Sequence, residues 1–187
     1  MKTFLCIAAG TLLFLSCQDT QQREYIAKID QLENDLDSMQ QVAEEHRVDT
    51  IPQLVAHIKQ RTFEVTENYS PDTIDYKIAT MMNDYKEIRK ALSANKDNYE
   101  KVKIGIPEVK EKLQDLRFDI ESGLGERDRY EEYYLFEKQK VNQIEEILKY
   151  YIETLDKYRE MYEKTEPKVN VFIEDLKRQA ETAADEE

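Results

Sequence analysis

Apolar residues recur along this chain in alternating steps of three and four, and that spacing decides what it can fold into. Tyr25, Ile29, Leu32, Leu36 and Met39 form one series, and Ile74, Ile78, Met81, Tyr85, Ile88 and Leu92 a second. A third runs Tyr99, Val102, Ile106, Val109, Leu113, Leu116 and Ile120, and a fourth Val141, Ile144, Leu148, Tyr151, Leu155, Tyr158 and Tyr162. At about 3.6 residues per turn these steps keep side chains on one helix face, as in a coiled-coil seam. No comparable stretch alternates with the period of two that a half-buried strand requires. The expectation is an all-α protein, an elongated antiparallel helical bundle or coiled coil of three long arms.

Charged residues make up 36% of the chain and there are only four glycines, a balance that favours long solvated helices with narrow apolar seams. Asn68-Tyr69-Ser70-Pro71 reads as a stop, a Ser cap and a proline at the first helical position. Ser122-Gly123-Leu124-Gly125 supplies glycines able to adopt left-handed dihedrals. These two reversal points divide a bundle domain at residues 23–182 into arms at about 23–68, 72–122 and 126–182. A continuous arm of about 50 residues would reach roughly 75 Å. Residues 183–187 read as an acidic, frayed tail.

Each arm carries one interior proline, two positions after a residue able to cap a helix: Thr50 before Pro52, Gly105 before Pro107, Thr165 before Pro167. The surroundings suggest a repeat of 55 to 60 residues. Ile51-Pro52-Gln53-Leu54 answers Ile106-Pro107-Glu108-Val109, Ile58 answers Leu113, and Phe63-Glu64-Val65 answers Phe118-Asp119-Ile120. Pro167, Val169, Ile173, Asp175 and Leu176 form a looser third copy of Pro107, Val109, Leu113, Asp115 and Leu116. The apolar phase runs through Pro107 and Pro167, so proline-kinked arms are expected there. Thr50 and Gln53 form a capping box that makes the first junction the expected break.

Residue types that carry chemistry are sparse. There is no Gly-rich phosphate loop, and neither His46 nor His57 belongs to a pattern that places metal ligands on one helix face. Glu131-Glu132 and Glu145-Glu146 are adjacent, so they diverge around a helix and read as solvated faces. The expectation is no enzyme, no metal and no cofactor. Tyrosine is abundant: twelve in all, seven of them between Tyr130 and Tyr162. Tyr130, Tyr134, Tyr151, Tyr158 and Tyr162 fall on the seam, with hydroxyls expected at its wet rim. Tyr133 and Tyr150 lie off it and are the candidate partner contacts.

At the start of the chain, Met1 and Lys2 give a positive end, Thr3 to Leu15 an apolar stretch, and Phe14-Leu15-Ser16-Cys17 a small residue directly before a cysteine. This resembles the signal peptide and lipobox of bacterial lipoproteins. The resemblance implies removal of residues 1–16, acylation of Cys17 and a short tether at 17–22. Thirteen apolar residues rise about 20 Å, short of the roughly 30 Å of a bilayer core. Loss of Met1 to Ser16 removes one Lys and no acid, taking the formal charge from −13 to −14. Such acidity excludes a nucleic-acid partner and leaves the membrane contact to the lipid. By likeness to enteric lipoproteins, Gln18 after the cysteine favours the outer membrane.

Asp37-Ser38-Met39, Asp49-Thr50-Ile51 and Asp72-Thr73-Ile74 resemble the sites at which some Gram-negative bacteria attach O-linked sugar to exported proteins, with Ser38, Thr50 and Thr73 as acceptors. At Thr50 and Thr73 the same pattern also describes a helix start. Two functions fit. One is a structural or interaction protein, a lipid-tethered scaffold or spacer that docks an envelope protein and self-associates. The alternative is a helical binding module for a small ligand, a cation or a basic protein, acting like a chaperone or inhibitor. A ligand cavity would show as a seam lined by small or polar residues.

Overall fold

Among the described residues, four α-helices are joined by two single-turn 3-10 segments and one loop: α1 (Thr3–Glu45), α2 (Ile51–Asn68), α3 (Tyr76–Ser122) and α4 (Tyr130–Asp185). The computed structural model describes residues 3–73, 75–124 and 126–185, with side chains between 20 and 183. Among the described residues there is no strand, and no helix is long and apolar enough to cross a membrane. The fold is an all-α bundle of long packed helices. The chain divides into two compact units: residues 1–44 with 102–146, and residues 45–101 with 147–187.

The first unit packs α1 against the later half of α3 and the earlier half of α4. Ile29, Leu36, Leu113 and Ile120 are fully buried there. Close approach at Gly105 explains a glycine inside α3: a Cβ would stand 3.3 Å from Cδ1 of Ile144 on α4. Arg117 of α3 reaches both Asp30 and Glu33 of α1, and Lys110 reaches Asp37. Gln22 donates to the carbonyls of Ile120 (2.6 Å) and Glu121 (3.0 Å), which have no partner within α3, so packed structure begins before residue 23.

The second unit packs α2 against the earlier half of α3 and the later half of α4. Ile58, Tyr85, Ile88, Leu92, Tyr151 and Leu155 are fully buried. The expected break in the first arm lies at residues 46–50, between α1 and α2. Continuing the helix would drive the Pro52 ring into the carbonyl of residue 48, whereas in the first turn of α2 its missing N–H costs nothing. Val48 and Ile51 are buried, which keeps the interior closed across the break. The hydroxyl of Tyr151 donates to the His46 carbonyl at 2.6 Å, supplying a donor where α1 has ended.

Several helix ends differ from expectation. Thr50 makes no side-chain cap bond, so the Thr50/Gln53 capping box does not form; its hydroxyl accepts from Arg159 at 3.2 Å. Ser70 and Pro71 do not start α3. Asp75 caps it instead, accepting from the Lys77 amide at 2.6 Å, because a carboxylate there meets the helix dipole that a hydroxyl meets weakly. The same cap removes Thr73 from a capping role. Gly105 and Thr165 cap nothing, since α3 and α4 run unbroken through Pro107 and Pro167. At the other reversal, Gly123 takes φ +65°, its amide donates to Ile120 (3.2 Å) and that of Leu124 to Asp119 (3.1 Å). That pair of bonds is a Schellman motif, and it requires a left-handed residue at Gly123. A 3-10 turn at Arg127–Arg129 then delays α4 to Tyr130.

Burial follows the expected seams. Tyr25 to Met39, Tyr85 to Leu92, Tyr99 to Ile120 and Val141 to Leu155 are buried at every seam position named above. Ile78, Met81, Tyr158 and Tyr162 are half-buried, and Ile74 lies outside the described residues. The first repeat pair also matches in burial. Ile51, Ile58 and Val65 are buried like Ile106, Leu113 and Ile120, while Phe63 and Phe118 are 63% and 62% exposed. Val169, Ile173 and Leu176 of the third copy are buried as Val109, Leu113 and Leu116 are.

Candidate functional site

Between Leu92 and Tyr99 the apolar series of α3 skips a step. Asn95 fills that step, continuing the alternation of three and four, and is 2% exposed. Burying an amide is costly unless its atoms are paired. Asn95 donates to the Tyr151 carbonyl at 2.8 Å and accepts from Asn98 at 3.0 Å. The neighbours Ala91 and Ala94 are small, and together with Asn95 and Asn98 they form one wall of a recess of about 370 Å³. Tyr150, Thr154 and Tyr158 of α4 form the other wall, with Glu153 and Lys157 at the rim. The Tyr158 hydroxyl donates to Glu87 at 3.0 Å and the Lys157 ammonium lies 4.8 Å from the centre of its ring. Tyr151, packed 5.4 Å from Tyr99, has its hydroxyl pushed up to about 12 by burial first and by Tyr99 second.

Tyr150 stands beside this recess 60% exposed, as its off-seam position suggested. Tyr133 does not share that exposure. It is half-buried, with the Arg129 guanidinium 4.8 Å above its ring, and it belongs to the other unit. Ser38, Thr50 and Thr73 are all exposed: Ser38 inside α1, Thr50 at the start of α2 and Thr73 in the loop before α3. Cys17 and residues 1–16, expected to form a signal peptide, have side chains outside the described residues. Tyr130 departs from the expectation of wet hydroxyls, since its own is enclosed with no hydrogen-bond partner among the described residues.

A second polar cluster, which no local sequence pattern marks, surrounds Glu166. This side chain is 14% exposed and draws donors from two other helices. His57 of α2 donates to one carboxylate oxygen at 2.9 Å and the buried Tyr85 hydroxyl of α3 to the other. Arg61 lies 3.9 Å away, itself paired with Glu64 at 3.1 Å. Tyr162 stacks on Tyr85 with ring centres 6.2 Å apart. Burial works to raise the Glu166 carboxyl, but hydrogen bonds from His57 and Tyr85 outweigh it and hold the group below its ordinary value. The same contacts act in the opposite sense on the phenols. Burial first, then the adjacent carboxylate, pushes Tyr162 up to about 12, and Tyr85 is raised by burial and by its bond to Glu166.

These clusters share a sequence signature that only becomes visible once the helices are laid out. Asn95, Glu137 and Thr165 are the buried polar residues among those described, and each falls at a seam step where an apolar residue was expected. Glu137 sits between Tyr134 and Val141 and bonds Lys140 at 3.0 Å. Thr165 sits between Tyr162 and Val169, next to Glu166. Among the described residues no three His, Cys, Asp or Glu side chains are placed to hold a metal ion. No protein-family model, curated protein or solved structure matches this chain.

Proposed function

We propose that this protein is a lipid-anchored lipoprotein of the cell envelope that works without catalysis, as a scaffold or spacer docking an envelope protein through the recess beside Tyr150. The anchor rests on the resemblance of Phe14-Leu15-Ser16-Cys17 to a lipobox, with Cys17 as the acylated residue and the outer membrane as its location. The docking reading is carried by Tyr150. Its ring stands 60% exposed next to a recess walled by two alanines and an amide already tied to the Tyr151 carbonyl. An aromatic ring over a preformed recess buries much apolar area on binding and loses little side-chain entropy, the pattern of interface hot spots.

A photo-crosslinking residue placed at position 150 of the full-length protein in living cells tests this reading. It should capture one reproducible envelope protein, and the same residue at the exposed neighbour Lys149 should capture it weakly. Equal capture from both positions, or none from position 150, would remove the recess from the function.

A further inference from the structure

A second groove between α3 and α4 lies beyond the docking recess, at the start of α3. Its volume is about 590 Å³, and its apolar walls are Ile78 and Met81 on one side and Val171 and Phe172 on the other. Val171 is 59% exposed and Tyr76, at the groove's end, 83% exposed. Val171 and Phe172 lie off the seam that runs through Thr165, Val169 and Ile173, the groove is lined by α3 and α4 alone, and Phe172 packs edge-on to the Tyr69 ring at 5.2 Å. The chain carries a formal charge of −13, but two cations, Lys77 and Lys168, line this groove. Neither has a carboxylate within ion-pair distance among the described residues. Of the two acids also lining it, Asp175 is already paired with Arg178 at 2.7 Å, and Asp84 lies seven residues, about 10 Å, along α3 from Lys77.

We propose that this groove binds the free anion of a long-chain carboxylic acid, with the acyl chain along Ile78, Met81, Val171 and Phe172 and the carboxylate between Lys77 and Lys168. The volume suits such a ligand, falling inside the roughly 300–1,000 Å³ of small-molecule sites. Two unpaired ammonium groups on an acidic surface favour an anionic head, and the apolar walls favour a hydrocarbon chain. The proposal is independent of the docking reading, because the two grooves share no lining residue.

The test uses the full chain in lipid nanodiscs and 11-(dansylamino)undecanoate as the fluorescent probe, with empty nanodiscs subtracted. Binding should be saturable, and dodecanoate should displace the probe at concentrations at least tenfold below those needed with dodecyltrimethylammonium. The doubly substituted Lys77→Ala, Lys168→Ala protein should bind at least tenfold more weakly at unchanged helical circular dichroism, since both lysines are surface residues. A Val171→Asp variant should lose binding through the apolar wall instead. The proposal is overturned by a signal no greater than that of empty nanodiscs, by equal competition from the cationic amphiphile, or by unchanged affinity in the lysine variant.

Discussion

Glu166 takes hydrogen bonds from two other helices, so its removal should be felt across the second unit. Replacing it with Gln keeps the volume but weakens two charge-assisted bonds, and should cost roughly 1–3 kcal/mol at neutral pH by thermal unfolding. The pH dependence has a definite sign. The folded carboxyl lies below its ordinary value of 4.5, so its contribution is fully present above that value and fades as pH falls through the lowered one. The difference in melting temperature between wild type and Glu166→Gln should therefore shrink as the pH falls below 4.5. A gap that keeps widening below 4.5 would contradict the assignment. Asn95 should behave oppositely, since the Tyr151 carbonyl keeps its helical partner without it. Asn95→Leu should stabilise by about 1 kcal/mol, because a polar residue on a seam fixes register at the expense of stability.

At the scale of the element, the three prolines occupy different helical positions and should respond differently. Pro107 sits inside α3, where it denies a donor to the Lys103 carbonyl, and Pro107→Ala should stabilise by roughly 1–3 kcal/mol. Pro52 lies in the first turn of α2, where no donor is missed, and Pro52→Ala should leave stability within about 0.5 kcal/mol. Gly123→Ala must hold a left-handed residue and should lose about 1–2 kcal/mol. Denaturant titration of the purified variants separates the three. How legible each element was in the sequence follows from the same physics. The apolar series marked α3 and α4 because steps of three and four need no information beyond the helix itself. Ser70-Pro71 misled because Asp75 offers a stronger cap five residues on. Asn95, Glu137 and Thr165 are not legible as seam positions because a polar residue ends an apolar count. Glu166 could not be read at all, since its partners His57 and Tyr85 lie 109 and 81 residues away in sequence and converge only after the helices pack.

For the whole molecule, the proposed lipid anchor and the proposed docking recess make separate demands. Cys17→Ala should leave the protein unprocessed or release it from the membrane fraction, and a variant that matures and partitions normally would refute the anchor while leaving the helical domain untouched. Phe63 and Phe118 are exposed at aligned positions of the repeat, one in each unit, though nothing else in the structure distinguishes them as contacts. The recess beside Tyr150 differs in having depth, small walls and an anchored amide. The most direct test of the account is to fill it. Ala94→Trp should occupy the recess without touching the buried seam, keep full helical circular dichroism, and abolish the crosslink captured from position 150 in cells. A filled recess that still yields the same crosslinked partner would contradict the account.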